Sequence, residues 1–108
     1  MSRNSPRRAP NASGAGNDLV QGINEMNAKF KLFLDEVTSI DPAIIQDNVR
    51  IGTERASVAL RVHEKGVIYA SLRKGQDAVA IQIKENSQKP IQAYAGTIRE
   101  AIEFLMAS

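Results

Sequence analysis

The chain has 108 residues, 43% of them apolar and 24% charged, with no cysteine and a formal net charge of +2. These values fit one ordinary globular domain and exclude disulfides and thiolate metal sites. No apolar run approaches the ~18 residues of a spanning helix, and the N-terminus lacks the apolar core of a secretory signal, so a cytoplasmic protein without a membrane segment is expected.

Charge is unevenly spread. Residues 48–90 carry Arg50, Arg55, Arg61, Lys65, Arg73, Lys74, Lys84 and Lys89 against Glu54, Glu64, Asp77 and Glu85. Residues 18–47 are acidic, with Lys29 and Lys31 against six Asp or Glu. Such a distribution bears on partners rather than on fold.

Residues 1–16 are rich in Ser, Arg, Pro, Asn, Ala and Gly, and Met1 is their only large apolar side chain. They cannot bury enough surface to offset ordering entropy, so a disordered basic tail is expected, followed by a single domain over 17–108. Arg3, Arg7 and Arg8 in this tail face no acid. Ser5-Pro6-Arg7-Arg8 resembles the short basic elements with which chromatin proteins touch the minor groove; a solubilising leader would look the same.

Asn17 or Asp18 suits a helix cap. Leu19, Ile23, Met26, Phe30, Phe33 and Val37 then recur at intervals of three and four, predicting an amphipathic helix over about 18–38. The stripe fits either a dimer seam or a helix lying on its own sheet. It is shorter than the three to four heptads of a coiled coil, which favours the second reading. Asp41-Pro42 predicts one more helical turn over 42–46.

From residue 48 the apolar period becomes two. Val49 and Ile51, then Val58, Leu60 and Val62, then Ile68, Ala70 and Leu72, then Val79, Ile81 and Ile83 each alternate with polar or small residues, predicting four strands. Glu64-Lys65-Gly66 and Lys74-Gly75-Gln76-Asp77 are short Gly-containing connections suited to hairpins. Residues 90–95 read either as a helical extension or as a fifth strand bracketed by Pro90 and Gly96. Thr97 and Glu100 form a capping-box pattern before Ile98, Ile102 and Leu105. The expected fold is a two-layer α+β domain with an N-terminal helix, an antiparallel meander and a C-terminal helix.

In that arrangement the helices cover Val49, Ile51, Val58, Leu60, Val62, Ile68, Leu72, Val79, Ile81 and Ile83. The opposite face shows Arg50, Arg61, His63, Tyr69, Ser71, Arg73, Gln82 and Lys84. Cations for phosphates and a ring for stacking are what single-stranded nucleic acid requires. Arg50, Arg61, Tyr69, Arg73 and Lys84, with Arg3, Arg7 and Arg8 from the tail, are therefore the candidate binding residues. The competing reading is a protein-interaction module, such as an inhibitor, adaptor or assembly factor. It would bind a protein partner or a second copy through the sheet face or the first helix. Antiparallel sheets also commonly present polar residues to water with no ligand at all.

Catalysis has few resources. His63 is the only histidine, and without cysteine no ordinary His/Cys metal set can form. The Gly-rich phosphate loop and the dinucleotide fingerprint are both missing. Asp35 with Glu36 and Glu100 with Glu103 sit on predicted helix surfaces rather than in a cleft. A non-enzymatic regulatory or nucleic-acid-binding protein needing no cofactor is the expectation.

Overall fold

The computed structural model describes residues 14–86 and 90–107, with side chains from Val20 onward. Helix α1 (Gly14–Ile40) leads into strands β1 (Ile45–Ile51), β2 (Arg55–Val62), β3 (Gly66–Arg73), β4 (Ala80–Glu85) and β5 (Gln92–Tyr94), and helix α2 (Ile98–Met106) is the last of the described elements. The strands form one antiparallel sheet in the order β1-β2-β3-β4-β5. This is an α+β fold with both helices on one face of a meander.

α1 begins at Gly14, ahead of the predicted Asn17 or Asp18 cap and inside the stretch expected to be tail. Once a helix is nucleated, each added residue gains a backbone hydrogen bond without needing an apolar contact. Residues 1–13, including Arg3, Arg7 and Arg8, lie outside the described residues. Along α1, Met26, Phe30, Phe33 and Val37 are buried, and the Phe30 and Phe33 rings stack with centroids 5.8 Å apart. The stripe thus packs on the chain's own sheet.

The predicted turn of helix at 42–46 is a tight turn followed directly by β1. Asp41 makes it: Oδ1 accepts the backbone N–H of Ala43, and its carbonyl accepts that of Ile44. Such side-chain bonding competes with helix continuation. It also drops Ile44 into the core, a position the sequence pattern did not single out.

β2 and β3 follow strict alternation. Ala56, Val58, Leu60 and Val62 interdigitate with Ile68, Ala70 and Leu72 beneath the helices, joined by Ile81 and Ile83 of β4. Gly66 opens β3 against β4, where a Cβ would lie 2.5 Å from the Lys84 carbonyl oxygen and 3.0 Å from Leu105 Cδ2. Gly75, at φ 84°, supplies the left-handed residue of the β3–β4 turn.

The edge strands depart from expectation. Val49 and Ile51, predicted to be covered, are 45% and 54% exposed. A bulge between Asp47 and Arg50, with Asn48 at φ 52°, interrupts the alternation. The helices pack chiefly over β2, β3 and β4, so Ile51 lies opposite buried Ala56 with little above it. Residues 92–94 form the fifth strand, paired with β4 and preceded by Pro90, which suits an edge. The capping box of α2 is formed: Thr97 Oγ1 accepts the Glu100 N–H at 3.1 Å, and a Glu100 carboxylate oxygen accepts the Thr97 N–H at 2.8 Å. Ile98, Ala101, Ile102 and Leu105 then face the core.

Candidate nucleic-acid interface

The outer face follows from register. Because Ala56, Val58, Leu60 and Val62 point inward, Arg55, Ser57, Ala59 and Arg61 point outward. On β3 the partners of these four are Arg73, Ser71, Tyr69 and Val67. β4 adds Ala80, Gln82 and Lys84, and β5 adds Ala93. The centre is therefore a floor of small side chains with Tyr69, 37% exposed, standing on it. An open groove of about 630 Å³ runs over this floor, bordered by Arg50, Arg55 and Arg73.

Arg61, Tyr69, Arg73 and Lys84 all take outward register positions, as alternation predicts, although Lys84 is half-buried. Arg50 reaches the same face by another route. Counting back from Asp47 opposite Ala59, an unbroken β1 would turn Arg50 inward; the bulge sets it opposite Ser57, outward. Asp47 is outward too, and its carboxylate lies 3.3 Å from Arg61 Nε. Arg61 is thus partly neutralised, in a pair that alternation alone would not foresee.

Arg55 is the residue that sequence reasoning missed. The alternation of Val58, Leu60 and Val62 predicts a strand from about Ser57, but β2 starts at Arg55, whose parity with Ser57, Ala59 and Arg61 marks it as outward. Arg50, Arg55, Arg73 and Lys84 have no acidic partner among the described residues; nearby Glu54 is taken by Lys74 at 3.2 Å.

His63 stands at the margin of this face rather than on a strand, lining a cleft with Asp47, Ala59, Arg61, Val67 and Tyr69. β2 ends at Val62, and His63 sits in the following turn at φ 54°. Its Nε2 lies 2.6 Å from Asp41 Oδ2, tying the β2–β3 turn to the α1–β1 junction. The His63 hydrogen bond, then the Ala43 N–H, hold the Asp41 carboxyl below its ordinary value. His63 therefore has a structural partner, Asp41, at the margin of the face.

No helix among the described residues is long and apolar enough to cross a membrane. The chain matches no family model, no curated protein and no solved structure.

Proposed function

We propose that the protein is a small non-enzymatic nucleic-acid-binding protein that takes up single-stranded DNA or RNA on the outer face of its sheet. The observation that carries this reading is the pairing of a flat Ser/Ala floor around Tyr69 with guanidinium groups along its border that have no acidic partner among the described residues. A base can lie flat on the Tyr69 ring while its phosphates meet the arginines. From Arg55 to Arg61 the face runs about 20 Å at ~3.3 Å per residue, room for a short stretch of strand. The same charges oppose the alternative of two copies pairing through this face, since Asp47 is the one carboxylate among its outward β-strand positions.

Fluorescence anisotropy with a labelled oligothymidylate, repeated across salt concentrations, tests the reading. Binding should weaken as salt rises, and Arg73→Ala should make the slope shallower by about 0.7, one phosphate contact's worth for a single strand. Tyr69→Ala should cost about 1–3 kcal/mol of binding while leaving the slope unchanged, because stacking releases no counterions. Absence of binding to any single or double strand at low salt would discard the proposal in favour of a protein ligand.

A further inference from the structure

The cations of the outer face are not evenly placed. At one end Arg61 is held by Asp47 and Lys84 is half-buried. At the other, Arg55 on β2 lies directly opposite Arg73 on β3, and Arg50 on β1 joins them from the position opposite Ser57. Like charges directly opposite across a strand pair are destabilising. Relief of the cost at this end is small among the described residues: Glu54 lines the same cleft as Arg55 and Arg73, but its ion pair is with Lys74. The Asp47–Arg50 bulge, with Asn48 at φ 52°, further commits β1 to turning a third guanidinium outward. Three strands thus converge on one concentration of net positive charge, and Arg55 and Arg73 also line, with Glu54 and Lys74, the cleft beyond the sheet's end.

We infer that Arg50, Arg55 and Arg73 form a clamp for a phosphate monoester, and that on this face the monoester is the terminal phosphate of a nucleic-acid strand. A monoester carries up to two negative charges and three acceptor oxygens, against one charge on an internal phosphodiester. Guanidinium forks meet such oxygens in pairs of charge-assisted hydrogen bonds. Binding there turns a destabilising repulsion into a shared interaction, and it leaves the Tyr69 floor for the bases that follow. The strand-end assignment rests on the nucleic-acid reading above; the phosphate chemistry of the clamp does not.

The test uses the full chain and three hexathymidylates: 5′-phosphorylated, 3′-phosphorylated and unphosphorylated. One of the phosphorylated forms should bind about tenfold more tightly than the unphosphorylated strand. Arg73→Gln and Arg55→Gln should abolish that preference, and Lys84→Gln should keep it. Both arginine variants should melt at or above the wild-type temperature, since each removes a like-charge neighbour. A variant that melts lower would contradict the repulsion argument. Equal affinity for all three strands would overturn the strand-end clamp while leaving single-strand binding intact. In a parallel arm, inorganic phosphate should raise the melting temperature of wild type more than that of Arg73→Gln. If phosphate does so but no oligonucleotide binds, the clamp belongs to a free phosphate compound and the strand-end assignment falls. If neither phosphate nor any strand has an effect, both the clamp and the nucleic-acid reading fail.

Discussion

On β2 and β3, one face is Ala56, Val58, Leu60, Val62, Ile68, Ala70 and Leu72 under two helices, and the other is Arg55, Ser57, Ala59, Arg61, Val67, Tyr69, Ser71 and Arg73 under none. The same backbone carries both sets, so the contrast isolates what side chains contribute. The inner set fills space and gains from removal of apolar surface from water. The outer set is small at its centre and cationic at its border, which does nothing for packing and carries a repulsion between Arg55 and Arg73. Substitutions should therefore separate cleanly, with inner changes altering stability and outer changes altering binding.

The largest expected effect is on the inner side. Phe30, fully buried beneath the sheet, should cost about 3–5 kcal/mol when replaced by alanine, read by urea or thermal denaturation. Loss of an oligomer without loss of stability would instead mean that α1 is a seam between chains. Next comes Gly66→Ala, whose new methyl group meets the backbone of β4 and the Leu105 side chain; overpacking of this kind costs about 1–3 kcal/mol. On the outer side, Asp47→Asn should leave folding within about 0.5 kcal/mol, because an exposed pair contributes little. By freeing Arg61 it should instead strengthen oligonucleotide binding and steepen its salt dependence.

The smallest effect concerns the Asp41–His63 link. A carboxyl held below its ordinary value stabilises the fold above the usual carboxylate range, and that contribution disappears as pH falls through the lowered value. Melting temperatures of wild type and Asp41→Asn should accordingly converge as the solution is acidified. A gap between them that stays constant down to strongly acidic pH would show that the carboxylate's charge is irrelevant there.

How much of this was legible in the sequence depended on coverage. β2 and β3 are covered on one side along their length, so period-two alternation reported the true direction of Arg61, Tyr69 and Arg73. The α1 stripe and the Thr97–Glu100 box were readable because each is a local pattern whose partners lie three or four residues away. β1 was not, because its bulge depends on Asn48 adopting a left-handed backbone, and asparagine tolerates that conformation without requiring it. The exposure of Val49 and Ile51 depends on where two helices end in space, a tertiary fact that no window of sequence contains. The Asp47–Arg61 pair was hidden for the same reason, whereas Arg55 was lost only through starting β2 two residues late. β5 is three residues long, too short for any period to declare itself.

The most direct test of the division between faces is a residue-by-residue amide NMR titration of the full chain with a short single-stranded oligonucleotide at low salt. Shift changes should concentrate at Arg55, Ser57, Ala59, Tyr69, Ser71, Arg73 and Gln82, with the amides of Phe30, Val37, Ala101 and Leu105 unmoved. Changes centred on α1 or α2, or none anywhere, would contradict that division.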